Sequence, residues 1–258
     1  MRCKYLIILS IVAFAAVLCS STAGFASILG SADSFAVLAG STVTNTGSST
    51  VTGNLGVSPG LAVTGFPPGV VTGGTIHAGD AVAAQAQSDL TTAYNSLVAL
   101  AYINNLTGQD LGGLALIPGV YKFDTSAQLT GTLILNAQGD NNALWVFQIG
   151  STLTTASNSA VQLINSSSND GLFWQIGSSA TLGTGTAFTG NILALTSITL
   201  NTGATIQNGR ALARNGAVTL DTNTISIPNT ATPEPASLSL LGLGLLGLMG
   251  FKKRRVVK

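Results

Sequence analysis

From Asp80 to Asn104 the stretch "DAVAAQAQSDLTTAYNSLVALAYIN" sets apolar residues at Val82, Ala86, Leu90, Ala93, Leu97 and Leu100 or Ala101. That spacing is close to the 3.6-residue helical period, and neither Gly nor Pro interrupts it. It predicts one amphipathic helix, opened by Gly79-Asp80 and closed by "NNLTGQDLGG". Elsewhere the apolar residues fall in short β-prone runs cut by Gly, Asn, Asp and Ser. These runs repeat. Thr-Leu-x-Thr starts at Thr152, Thr181, Thr199 and Thr219, at intervals of 29, 18 and 20 residues, and "FQIGST" (Phe147 to Thr152) is echoed by "WQIGSS" (Trp174 to Ser179). Intervals near 18 to 20 with three turn signals each suit one coil of a three-sided β-solenoid. The 29-residue interval is such a coil carrying a surface insertion, for instance "NSSSNDG".

Strand side chains alternate, so Leu182, Leu200 and Leu220 are expected to point inward and Thr181, Thr199 and Thr219 outward. Coils stacked ~4.7 to 4.9 Å apart would align those threonines in ladders. Gly and Asn turn the corners, and β-branched Thr suits a strand's outer face. The pattern also jumps across the chain: "VTGNL" (Val51 to Leu55) matches "FTGNI" (Phe188 to Ile192), and "TNTG" (Thr44 to Gly47) matches "LNTG" (Leu200 to Gly203). The N-terminal coil is thus of the C-terminal type, although the helix separates them. Two architectures fit: consecutive stacking with the helix as an excursion, or a discontinuous stack in which the first coil pairs with the last.

The two ends are of a different kind. Residues 1–26 read as a secretory signal peptide: Arg2 and Lys4, an apolar run from Tyr5 to Leu18, then small residues with cleavage after Ala26 or Ala23. A lipoprotein signal at Cys19 is the alternative, weakened by Leu18 where a small residue is expected. At the other end, residues 231–258 hold Pro233-Glu234-Pro235, a mostly apolar segment from Ala236 to Phe251 and the basic cluster "KKRR". At ~1.5 Å per residue the apolar segment spans about 24 Å, a marginal transmembrane segment against a hydrocarbon core of roughly 30 Å. This order resembles the PEP-CTERM sorting signal of Gram-negative bacteria. The resemblance implies recognition at Pro233, Glu234 and Pro235, transient anchoring, and removal of the tail by an exosortase, leaving the protein extracellular or at the outer surface.

Composition narrows the chemistry. With 46% hydrophobic and 7% charged residues over 258 positions, the chain folds rather than remaining disordered. Both cysteines, Cys3 and Cys19, lie in the leader, so the body between the two signals has no disulfide. That body, residues 27–230, sets three cations (Lys122, Arg210, Arg214) against eight aspartates, a net acidic balance that argues against nucleic acid as a partner. Nothing points to an enzyme. The single histidine, His77, reads as a loop or capping residue, the aspartates are scattered singly, and no Cys or His cluster suggests a transition-metal site or a cofactor. Calcium held by Asp and backbone carbonyls stays open. Outward members of the set Trp145, Phe147, Phe173 and Trp174 would offer stacking platforms for sugar rings.

Four blocks, "FAVLAGSTVTNTGSSTVTGNLGVSPG", "VVTGGTIHAGDAVAAQAQSDLTTAYN", "LTGQDLGGLALIPGVYKF" and "LTSITLNTGATIQNGRALARNGAVTLDTNTI", together resemble the microbial ice-binding protein family. The resemblance implies a mostly β fold: a right-handed, three-sided β-helix whose first coil stacks on the last, with one long helix packed alongside. Its motif Thr-Ala/Gly-x-Thr/Asn is matched at Thr155 to Asn158, Thr186 to Thr189 and Thr202 to Thr205, while Thr46 to Ser49 departs at the last position. The implied ice-binding residues are Thr46, Thr155, Asn158, Thr186, Thr189, Thr202 and Thr205, and the implied partner is ice or ordered water. The other reading is a non-catalytic structural or adhesive protein of the extracellular matrix, associated with exopolysaccharide.

Overall fold

A computed structural model describes residues 26–167 and 170–228. Residues 1–25, nearly all of the expected leader, and the Pro-Glu-Pro segment, including Pro233, Glu234 and Pro235, lie outside the described residues. The body is a parallel β-solenoid with three faces and one long helix.

One face, here the threonine face, is a seven-stranded sheet. Its stacking order is Ala127–Leu129, Leu153–Thr155, Ala180–Leu182, Ile198–Leu200, Val218–Asp221, Thr42–Thr46, Ala62–Thr64. The N-terminal coil therefore lies on the C-terminal one, with Val43 opposite Val218 and Thr44 opposite Thr219. Of the two stacking orders open to the sequence, the discontinuous one is the fold.

The other faces share one sheet because Ala187–Ala194 and Thr205–Ala213 each run round a corner and serve both. The bend coincides with a register shift between Thr189 and Asn191. Gly190 adopts φ +99 there, and a Cβ on Gly209 would overlap the Gly190 carbonyl, so the corner needs glycine on both strands. On the helix face, the stack runs from Asn104–Asn105 through Gly119–Phe123, Leu144–Ile149 and Gly171–Ile176 to the second halves of the two long strands, then Phe35–Ala39, Asn54–Val57 and Ile76–Ala78. The third face carries Ala115–Leu116, Thr132–Asn136, Ala160–Ile164, the first halves of the long strands, Thr224–Ser226, Thr50–Thr52 and Val70–Thr72.

Inward residues close the core without disulfides. Leu182, Leu200 and Leu220 are at most 1% exposed and form one ladder, as the alternation predicts. The echo of "FQIGST" in "WQIGSS" falls in register, Phe147 opposite Trp174 and Gln148 opposite Gln175. It builds an internal aromatic column: Tyr121, Phe147, Trp174 and Phe188 follow one another at 5.5, 4.1 and 4.9 Å between ring centroids. Of the four candidate sugar platforms, Trp145, Phe147 and Trp174 point into the core and Phe173 points outward as the alternation allows, but all four are buried, Phe173 beneath the helix, which corrects the expectation of a platform open to sugar rings.

The helix, α1, spans Ala81–Val98. It ends six residues short of the periodicity limit because Gln148 Nε2 donates to the carbonyls of Leu97 (2.8 Å) and Leu100 (2.9 Å) and closes it there. Asp80 caps its start by accepting from the Ala83 N–H at 2.8 Å. Ala86, Leu90, Ala93 and Leu97 are buried as the spacing predicts, whereas Val82 and Leu100 are exposed. The buried stripe packs on Leu38, Leu212, Leu193, Phe173 and Val146, which are outward residues of the helix face. Among the described residues no helix is long and apolar enough to cross a membrane.

Candidate functional site

The threonine face takes its character from one column. Gln128 lies opposite Thr154, Thr154 opposite Thr181, Thr181 opposite Thr199, Thr199 opposite Thr219, Thr219 opposite Thr44, and Thr44 opposite Thr64. Six consecutive coils thus present Thr at one outward position, exposed or half-buried. At ~4.7 Å per coil the column of seven residues is about 28 Å long. Each threonine stands on a strand whose neighbours point inward into a packed ladder, so its backbone cannot shift without disturbing the core. Thr44 Oγ1 donates to Thr219 Oγ1 at 3.3 Å, across the junction between the N-terminal and C-terminal coils.

Charge is nearly absent. The only charged residue in the seven strands is Asp221, at the edge, where its carboxylate accepts from Thr202 Oγ1 and Thr222 Oγ1. The ion pairs among the described residues lie elsewhere: Lys122–Asp124, His77–Asp80 and Arg210–Asp33. A long row of hydroxyls and methyls, rigid and uncharged, can order water into a regular layer. A charged side chain would instead hold its own hydration shell.

Comparison with known proteins gives a family and a fold. The family described as "Ice-binding-like" matches residues 37–226, and the PEP-CTERM protein-sorting motif matches residues 231–255. The chain belongs to the ice-binding-like family. It is 58% identical to an ice-binding protein of Nostoc sp. (strain HG1), over 97% of this chain and 96% of the relative. It is 35% identical to an ice-binding protein of Colwellia sp., over 80% and 85% of the two chains. Among solved structures, an ice binding protein from an Antarctic biological consortium superposes with a TM-score of 0.73 at 50% identity, covering 78% of this chain and 90% of the other. An ice-binding protein from an Arctic yeast gives a TM-score of 0.72 at 32% identity, covering 80% and 96%.

Within this family fold, the residues matched by the Thr-Ala/Gly-x-Thr/Asn motif do not share one face. Thr155 and Thr186 are buried, and their hydroxyls bond each other at 2.8 Å. Thr155 stands at an inward position of its strand, where the next coils have Leu182 and Leu200, and it accepts from the Gly183 N–H. Thr186 joins Ser159, Asn223 and Ser49 in a buried polar column that satisfies backbone groups at the corner. Neither can touch a surface. Their removal from the candidate set corrects the motif-based expectation, since a four-residue pattern does not distinguish inward from outward threonine.

The rest spread around that corner. Asn158 and Thr202 lie in the turn itself, where Asn158, Gly185, Gly203, Thr222 and Gly47 take positive φ. Thr46 closes a strand of the threonine face opposite Asp221. Thr189 and Thr205 are outward residues of the third face. The column Thr154, Thr181, Thr199, Thr219, Thr44, Thr64 was only partly legible. Its middle members head the Thr-Leu-x-Thr repeats, but Thr154 sits two residues into its repeat, and Thr44 and Thr64 have no such repeat.

On the far side, the cations have structural partners. Arg210 is 3% exposed and pairs with Asp33 Oδ1 at 2.7 Å, while its Nη1 donates to Asn191 Oδ1 at 2.7 Å. Burial outweighs the pairing on both partners, pushing the Asp33 carboxyl above its ordinary value and holding the Arg210 guanidinium below its own. Arg214 lies over the Tyr94 ring at 4.6 Å. His77 bonds Asp80 Oδ2 (2.7 Å) and Thr75 Oγ1 (2.9 Å). That string has the connectivity of a nucleophile, base and acid, yet Asp80 is committed to capping α1. The hydrogen bonds from Ala83 and His77 hold the Asp80 carboxyl below the usual range.

Proposed function

We propose that this chain is an exported, non-catalytic protein that adsorbs to ice through its threonine face and thereby inhibits recrystallisation. The unbroken register of Thr154, Thr181, Thr199, Thr219, Thr44 and Thr64 carries the reading, and relatives named as ice-binding proteins support it. Adsorption follows from the match of a rigid array to an ordered lattice, so its strength depends on how many positions engage at once rather than on any single contact. Thr46 and Thr202 form the rim of this surface beside Asp221, and Asn158 lies further along the same corner, three coils away.

The PEP-CTERM motif supports delivery to the surface of a Gram-negative cell. In this reading the leader directs export, the apolar segment holds the chain briefly in the membrane, and an exosortase releases it at Pro233-Glu234-Pro235. Mass spectrometry of the exported protein should find neither Met1 nor Lys258. An adhesive role on exopolysaccharide has lost its aromatic platforms to the core.

The deciding measurement is ice-recrystallisation inhibition by the exported protein with Thr199→Tyr or Thr219→Lys at the centre of the column. Both should abolish inhibition while shifting the melting temperature by no more than a few degrees. Thr92→Lys, on the exposed side of α1, should leave inhibition unchanged. Inhibition that survives both central changes would place the site on another face, and a wild-type protein without inhibition would defeat the reading.

A further inference from the structure

The third face is also free of charge: none of the residues in its eight strand segments is Asp, Glu, Lys, Arg or His. Its two halves differ. Toward the Ala115–Leu116 end the outward residues include Gln162, Ile134 and Ile164, whose long side chains make an uneven, adjustable surface. Toward the Val70–Thr72 end most of them are short, Gln207 being the long exception. One column runs Val70, Thr50, Thr224, Thr205, Ala187, each opposite the next. Two residues further along the same strands stand Thr72, Thr52, Ser226, Gln207 and Thr189.

This is a two-column array over five coils, about 19 Å along the axis at ~4.7 Å per coil and about 6.6 Å across at ~3.3 Å per residue. Its hydroxyls are held: Thr52 Oγ1 and Thr72 Oγ1 bond at 3.1 Å, and Thr189 Oγ1 donates to the Val161 carbonyl at 3.1 Å. Beneath it, Val51, Ile225, Ile206 and Phe188 are buried in the same core that supports the threonine face. The array continues from the threonine face across a single corner, which the buried Ser49 and Asn223 stiffen.

We propose that this half of the third face is a second ice-binding surface, and that it engages a differently oriented plane of the crystal from the one the threonine face engages. The inference rests on the ice-binding reading above. It extends that reading because two faces of a triangular solenoid cannot lie on one flat plane together. The chemistry is shared, hydroxyl and methyl groups on stacked strands, with the exposed Gln207 amide as the departure on the third face. The spacing differs: a single long column on one, two shorter columns on the other. Each lattice orientation selects the array it fits.

Ice-plane affinity with fluorescently labelled exported protein on a single-crystal ice hemisphere separates the two. Wild type should label planes of two orientations. Thr224→Tyr should erase one set and keep the other, and Thr52→Tyr, a second variant on the same face, should reproduce it. Thr199→Tyr should do the converse, and the Thr199→Tyr/Thr224→Tyr double variant should label nothing. Melting temperatures within a few degrees of wild type show that each variant is folded. Labelling of one orientation only by wild type, or complete loss in Thr199→Tyr with no change in either third-face variant, overturns the second surface while leaving ice binding intact. A wild type that labels no ice overturns both.

Discussion

On the threonine face the outward residue of every coil from Thr154 to Thr64 is short, hydroxylated and β-branched, whereas on the helix face the outward positions step through Leu38, Leu212, Leu193, Phe173 and Val146. The backbone is the same parallel ladder on both. What differs is one side chain per coil, and that difference selects the partner. Outward Leu and Phe lose water only by recruiting α1, whose Ala86, Leu90, Ala93 and Leu97 cover them. Outward Thr keeps a methyl and a hydroxyl at the surface, needs no cover, and stays available to an ordered water layer.

Four changes break or sharpen this contrast. The largest effect belongs to the covered face: Phe173→Ala should cost about 3 to 5 kcal/mol, because a cavity opens between sheet and helix. Chemical denaturation measures it, and a loss below 1 kcal/mol would mean that α1 is not held by these contacts. Next is the shared interior. Leu200→Ala should cost roughly 2 to 5 kcal/mol and weaken both faces together, since its ladder underlies the threonine column.

A smaller, pH-dependent effect separates the helix side from the bare side. Hydrogen bonds from the Ser31 Oγ and N–H hold the Asp89 carboxyl below its ordinary value of 3.8. With the folded-state pKa below the unfolded one, that stabilisation is present above the ordinary value and lost as pH falls through the folded one. Asp80 behaves alike. Asp33 has the opposite sign: burial raises its folded pKa, so its contribution is lost as pH rises through that value. The melting temperature should therefore fall on acidification below about pH 4, and Asp89→Asn should remove part of that dependence. Ice-recrystallisation inhibition, measured while the protein is still folded, should not follow the same curve.

The smallest stability effect is expected at the column itself. Thr199→Ala should lie within about 0.5 kcal/mol of wild type and yet reduce inhibition measurably. If stability and inhibition fall in proportion, the threonine face is only a soluble exterior.

Much of this was legible in the chain. Period and repeat length are local properties, so α1, the coil type, and the inward Leu182, Leu200 and Leu220 follow from alternation and spacing. Even the cross-chain echo of "VTGNL" in "FTGNI" marked the first coil as kin to the last ones. The stacking order was implied by the family resemblance but not legible in the pattern itself, because pairing Thr44 with Thr219 is a contact over 175 positions that no local pattern records. Nor was the site. Thr155 and Thr154 are adjacent in the chain, but one bonds Thr186 in the core while the other belongs to the surface column. Sequence determined that threonine would be plentiful and regularly spaced; only the register between coils decided which threonines align, because alignment is a property of neighbouring strands and not of any one of them.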